Sequence, residues 1–354
     1  GKVDRSALPQ PQRQENTGRE PRGRLEKALA EIWRELLGLA EVGAEEDFFA
    51  LGGHSLMAAQ VVAQVRHRLG RELSLQAFFE TPTIAALARR MDGQEDTAGS
   101  ALVALSPESR NDAPPVFWIH TATGLAQTYR PLVRSLGEVG QHWGIQARGL
   151  DGEEEPRRSL PAMAAAYVEE IRRVQPAGPY RLVGWSLGGV VAFEMARQLR
   201  AAGEAVEPLV MLDSVLGAVT KEELNDDFLV VSTFAAHLGL PDPERRAGDP
   251  LKALLRDAEQ SGLFPRPVLE RLFAVFRACL EALADYDGGV SAGLEAGTVH
   301  LLQAAEPAEE PAEESWERLP GLDLRVEEVP GDHFGLLAEE NLPVVVERLR
   351  RLLG

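Results

Sequence analysis

Hydrophobic and polar positions change their period along the chain, and that change divides it. Leu25, Leu29, Ile32, Trp33, Leu36 and Leu37 recur at the spacing of one helix face, and Gly38 stops the run. Leu56, Ala59, Val62, Val65 and Leu69 repeat the pattern as far as Gly70. A third run opens at Thr81-Pro82, a cap and first turn, and carries Ile84, Leu87 and Ala88. Three or four short helices of this kind predict a small all-α bundle.

Beyond about residue 113 the pattern alternates. Strand-length apolar runs at Val116–Ile119, 144–146 (the weakest), 180–183, 209–212, 298–302 and 324–329 are separated by helical periods. Those periods fall at 128–136, 159–174, 187–202 and 341–353. Such alternation predicts a mostly parallel sheet covered on both faces. Residues 214 to about 293 break the rhythm. Apolar groups led by Phe228, Leu251 and Leu269 are separated there by Pro241, Pro243, Pro250, Pro265 and Pro267, which predicts several short helices. An insertion of that size after a strand end stands where a lid would sit. Cys279 within it reads as a packed residue, not a nucleophile.

Two polar stretches, 9–24 and 92–115, separate these regions. The expected organisation is an upstream remnant and linker at 1–18, a helical domain at 19–92, a linker at 93–112 with a candidate first strand near 101–105, and an α/β domain at 113–354. The run AEPAEEPAEES, residues 305–315, is too acidic and Pro-rich to suggest packing and predicts an exposed loop.

Acidic residues number 55 against 37 basic ones, a net charge of −18, which argues against non-specific binding to nucleic acid or anionic membrane. A single cysteine excludes an intrachain disulfide and a Cys-based zinc site. No apolar run approaches the roughly 20 residues of a membrane span, and the opening GKVDRSALPQPQ lacks a signal core. A cytoplasmic piece of a longer chain is expected.

Gly184-Trp185-Ser186-Leu187-Gly188 fits the G-x-S-x-G nucleophile elbow, with a strand run before it and a helical run after it. Small neighbours let the serine project alone at the sheet edge, and the Leu187 N–H at the helix start can face a developing oxyanion. The base must follow the serine in this chain order. His237 lies in the insertion and His300 in the strand run TVHLLQ, where a core histidine is expected. His333, in Pro330-Gly331-Asp332-His333-Phe334-Gly335 just after the last strand, has the right place. Asp332 beside it reads as a turn former. For the orienting acid, Asp213 ends the 209–212 strand and is favoured, with Glu306 as its rival. The second oxyanion donor is expected from His120-Thr121-Ala122-Thr123-Gly124, with the Ala122 N–H as candidate and His120 as a packing or loop-anchoring residue.

In the helical domain, Ser55 opens a helix directly after Gly52-Gly53-His54. Such a serine is a good N-cap, and it is equally well placed to carry a phosphodiester at a helix N-terminus. Spacing alone does not choose between them. The run DFFALGGHSL, residues 47–56, resembles the attachment motif of peptidyl carrier domains in nonribosomal peptide synthetases. The resemblance, covering about 19–92, implies a 4′-phosphopantetheine arm on Ser55, added by a separate phosphopantetheinyl transferase. GKVDRSALP looks like the end of an adenylation domain, with Lys2 as its remnant lysine. From about residue 101 the chain resembles the terminal thioesterases of such synthetases, through GWSLGG, VMLDS and GDHFGLL. It departs from them at Thr121, where the family commonly has proline after the histidine.

The resemblance implies a carrier bundle followed by an α/β-hydrolase thioesterase with a helical lid. A peptidyl thioester on Ser55 would pass to Ser186, activated by His333 and Asp213 with Leu187 and Ala122 holding the oxyanion, and leave by hydrolysis or macrocyclisation. Neither metal nor nucleotide is needed. Condensation and adenylation domains would precede this piece. An editing thioesterase that clears misloaded carriers and a non-catalytic docking module are the rival expectations. The fused carrier argues against the first and the intact Ser186, Asp213 and His333 set against the second.

Overall fold

A computed structural model describes residues 19–53, 55–71, 73, 77–78, 81–92, 101–106, 113–137, 139–150, 154–243, 248–260, 266–288, 297–306 and 311–354. Lys2, His54 and most of the expected linker lie outside the described residues. The chain divides into two compact units between residues 96 and 97.

The first unit is built from α1 (Gly23–Leu37), α2 (Ser55–Leu69) and α3 (Ile84–Met91), with residues 77–78 also helical. Gly38 ends α1 in the left-handed conformation (φ 67°), as the sequence pattern requires. The Thr83 hydroxyl caps α3 by accepting from Ala86 N–H. Trp33, fully buried on α1, meets the rings of Phe48 at 4.7 Å and Phe78 at 5.9 Å. Each such ring, once buried, contributes about 2–3 kcal/mol of transfer free energy.

The second unit holds a seven-stranded sheet in the order β1-β3-β2-β4-β5-β6-β7. Its strands are β1 (Leu102–Ala104), β2 (Val116–Ile119), β3 (His142–Ile145), β4 (Tyr180–Trp185), β5 (Val206–Leu212), β6 (Thr298–Ala304) and β7 (Asp323–Val329). All pairs are parallel except β1 with β3. β1 therefore belongs to this sheet and is not linker. All four residues of β2 are buried, as a central parallel strand demands. The helices are α4 (Arg130–Leu136), α5 (Leu160–Val174), α6 (Leu187–Ala201), α7 (Lys221–Leu224), α8 (Asp227–His237), α9 (Pro250–Gln260), α10 (Arg266–Ala284), α11 (Ala312–Glu317) and α12 (Leu342–Leu353).

The insertion between β5 and β6 is helical, carrying α7 to α10. Pro250 and Pro267 fall in the first turns of α9 and α10, where a missing N–H is harmless. Cys279 is buried within α10, and burial pushes its thiol up to about 12, away from the thiolate form that a nucleophile needs. At the far end of α10, the Tyr286 hydroxyl donates to Glu194 on α6. Glu194 is wholly buried and also accepts from Arg197 and Gln198. Burial opposes its charge, but these donors prevail and its pKa is lowered.

Three expectations need correction. The weak strand expected at 144–146 is present but shifted, running from His142 to Ile145, and the polar His142 is kept inside because its Nδ1 accepts from Trp118 Nε1 at 3.0 Å. The stretch 305–315 is not wholly exposed loop, because α11 begins at Ala312. Trp316 anchors it, fully buried 4.7 Å from the Phe193 ring, with its Nε1 donating to Ser214 O. Glu313 and Glu314 stand in its first turn, where the helix dipole favours them. His300 is not a core histidine. It is half-buried on β6 opposite Arg325 of β7, and its pKa is lowered by burial and then by that arginine.

Candidate active site

β4 and β5 pair as far as Trp185 and Leu212, so Ser186 and Asp213 are the next residues on neighbouring strands. Ser186 N–H donates to Leu212 O at 2.9 Å. Both residues have positive φ, 56° and 41°, a conformation that side chains disfavour and that marks a strained elbow here. Three glycines make room for it. A Cβ at Gly184 would lie 2.1 Å from the Gly188 backbone, one at Gly188 would lie 2.4 Å from Ile119 O, and one at Gly189 would lie 2.0 Å from Ser214 Oγ.

Asp213 is buried and both its oxygens are used. Oδ1 accepts from Ala304 N–H at 2.9 Å, and Oδ2 accepts from His333 Nδ1 at 2.7 Å. The loop carrying His333 is held by Asp332, whose Oδ1 accepts from Gly335 N–H, and by Asn341, whose amide donates to Gly335 O. Asp332 is thus the turn former that its position implies. Glu306 is exposed, and its backbone N–H donates to Gly331 O. The structure therefore pairs His333 with Asp213. Among the described residues, Ser186 Oγ and His333 share this edge but are not hydrogen-bonded to each other.

Leu187 is the first residue of α6, and Ala122 lies buried in the turn after β2. A Cβ at Gly188 would lie 2.4 Å from Ile119 O and 2.7 Å from His120 O, so the start of α6 is seated closely on the end of β2. Neither the Leu187 N–H nor the Ala122 N–H has a hydrogen-bond partner among the described residues.

Four residues escaped the sequence pattern. Trp185, the variable residue of the elbow, lays its ring 5.5 Å from His333. Phe334, 48% exposed, sits 5.2 Å from His333 and 5.1 Å from His237 at the end of α8. His237 is thereby brought near His333, and burial lowers its pKa against the opposing hydrogen bond of its Nδ1 with Thr233 O. Tyr129 donates to Ile119 O at 2.7 Å and accepts from Trp185 N–H at 2.8 Å, lacing the ends of β2 and β4 together. Their roles come from contacts with residues far away in sequence, which periodicity does not register.

In the first unit the turn before α2 is set by Asp47, whose Oδ1 accepts from Phe49 and Ala50 N–H. Gly53 N–H donates to Phe48 O, and a Cβ at Gly53 would fall 2.4 Å from the Phe48 ring. That close approach explains the second glycine of the motif. The backbone then delivers Ser55 as the first residue of α2.

Residues 114–353 match the thioesterase-domain family and residues 27–91 the phosphopantetheine attachment site. The chain belongs to the thioesterase-domain family. A carrier domain precedes its thioesterase domain, the didomain arrangement of nonribosomal peptide synthetases, and the carrier takes a covalent phosphopantetheine. A dimodular nonribosomal peptide synthase of Bacillus subtilis is 43% identical over 255 residues, which is 71% of this chain and 11% of that protein. A holo four-domain nonribosomal peptide synthetase bound to AMP and glycine superposes with TM-score 0.64 at 28% identity, over 99% of this chain and 28% of that one. The NocB thioesterase domain, in covalent complex with a fluorophosphonate nocardicin G analogue, matches with TM-score 0.52 at 28% identity, over 72% of this chain and 99% of that one. The didomain thus spans about a tenth of its curated synthase relative. Among the described residues no helix is long and apolar enough to cross a membrane.

Proposed function

We propose that the chain releases a peptide from a phosphopantetheine arm on Ser55 through an ester on Ser186. The carrying observation is the hydrogen bond from His333 Nδ1 to Asp213 Oδ2 beside the strained Ser186. A carboxylate only accepts, so Nδ1 holds the ring proton and Nε2 is left bare as a base. Nε2 takes the Ser186 proton as Oγ attacks the thioester carbonyl. Leu187 and Ala122 N–H groups receive the oxyanion, and the pantetheine thiolate leaves with the proton from His333. Water, or an amine or hydroxyl of the peptide itself, then attacks the ester and gives an acid or a ring. The Ser186–His333 hydrogen bond is expected to form as substrate binds, since catalytic hydrogen bonds tighten in the Michaelis complex.

In this reading the insertion acts as a lid that governs how much water reaches the ester. A phosphopantetheinyl transferase installs the arm in the cytoplasm, and upstream adenylation and condensation domains supply the peptide.

Loading the carrier from a peptidyl coenzyme A, followed by mass spectrometry of carrier and product, tests the scheme. Ser55→Ala should prevent loading yet leave hydrolysis of a small soluble thioester nearly unchanged. Ser186→Ala should load and then retain the peptide. Release at the wild-type rate from Ser186→Ala would overturn the proposal.

A further inference from the structure

His120 immediately precedes the turn that carries Ala122, and its side chain is fully buried. Its ring makes two hydrogen bonds of 2.7 Å, from Nδ1 to Thr121 O and between Nε2 and the Tyr167 hydroxyl on α5. Because a carbonyl oxygen only accepts, Nδ1 carries the proton. Burial holds the ring neutral, with its pKa lowered to about 4, so Nε2 is bare and accepts from Tyr167. The same Thr121 oxygen also accepts from Gly124 N–H at 2.9 Å.

Two donors therefore fix the plane of the Thr121–Ala122 peptide. That peptide is trans, so its N–H points opposite to its C=O. Holding the carbonyl against the His120 ring turns the Ala122 N–H away from that ring. Ala122 is only 3% exposed, and buried backbone N–H groups are nearly always paired, yet this one has no partner among the described residues. The fold keeps a donor free beside the start of α6. A proline at position 121 would keep the carbonyl contact, whereas Thr121 adds a 3.0 Å bond between its hydroxyl and that of Thr123, stiffening the turn further.

We propose that His120 and Tyr167 are positioning residues for the Ala122 N–H: the tyrosine hydroxyl sets the histidine tautomer, and the histidine aims the peptide. This rests on the reading of Ala122 as an oxyanion donor. Neither side chain touches the reacting atoms, so their effect must pass through that one N–H.

The test uses the full chain and a small soluble acyl-thioester. Incorporation of lactic acid in place of Ala122, by stop-codon suppression, replaces the N–H with an ester oxygen. It should lower kcat about 100-fold, the scale for one lost oxyanion donor, and leave KM within about twofold. Tyr167→Phe and His120→Ala should each lower kcat about 10-fold at similar KM. His120→Asn, whose amide N–H reaches the place of Nδ1, should recover most of the loss. In the lactate background Tyr167→Phe should cost nothing more, because the group it aims is gone. A merely structural role predicts the opposite, the same fractional loss in both backgrounds, and that result overturns the proposal. A silent Tyr167→Phe beside a damaging lactate substitution overturns it alone. If the lactate substitution is silent, the oxyanion reading fails and the proposal falls with it.

Discussion

At the scale of single residues, the site depends on where protons and small side chains are. Ser186→Ala and His333→Ala should each lower turnover by about 10⁴ to 10⁶-fold, and the double variant should be scarcely worse, since the members act as one unit. Asp213→Asn should cost less, and Glu306→Gln almost nothing, because Asp213 and not Glu306 holds the ring. A larger loss from Glu306→Gln in steady-state kinetics would reverse the assignment. The glycines differ in what they tolerate. A methyl at position 184 meets the Gly188 backbone, which cannot step aside, whereas one at 189 meets a serine hydroxyl. Gly184→Ala should therefore destabilise by about 3 kcal/mol or more, and Gly189→Ala by clearly less, as read by urea unfolding. Equal losses would mean that Ser214, whose hydroxyl donates to Leu212 O, is as immovable as the backbone.

Among elements, those with strong periodicity were legible and those fixed by a distant partner were not. The run 116–119 and the helix after Ser186 match the pattern almost residue for residue, since both are buried and bounded by turn chemistry. His142 opened a strand unannounced because its polarity is answered by Trp118, 24 residues away in sequence. The helix at Ala312 was hidden by its own glutamates. The Ser186, Asp213 and His333 positions were readable from strand ends and glycine turns, but Trp185, Phe334 and Tyr129 act through contacts that no spacing encodes. In the insertion, α8 and α9 pack on each other, α8 also on α7 and α9 on α10, and Leu229 of α8 is 40% exposed. Their amides should exchange with deuterium well before those of β2, β4 and β5. Equal protection would rule out an insertion that opens independently of the sheet.

For the molecule as a whole, two buried histidines contribute to the response to acid. His120 and His142 have pKa values lowered to about 4, mainly by burial, against 6.5 for a free ring. Below pH 6.5 the unfolded chain takes up protons that the folded chain refuses until about pH 4. Their stabilisation is therefore complete above pH 6.5 and is lost progressively as pH falls to 4, at up to about 1.4 kcal/mol per pH unit for each ring. Urea midpoints of the full chain should fall between pH 7 and 5, and His120→Asn should flatten that slope. A level profile would show both rings titrating freely.

The footing of the insertion decides how it can move. One foot is clamped where Trp316 Nε1 and the Ser315 hydroxyl grip Ser214 O and Leu216 N–H, and the other where Tyr286 reaches Glu194. Val275 of α10 rests so near Gly124 that a methyl there would come within 2.7 Å of it. A strap buckled at both ends cannot swing like a flap. On the proposed lid reading, it bows at mid-span instead, where the His237 ring meets that of Phe334. Engineering for bulkier cargo should accordingly re-cut the span and leave both buckles fastened.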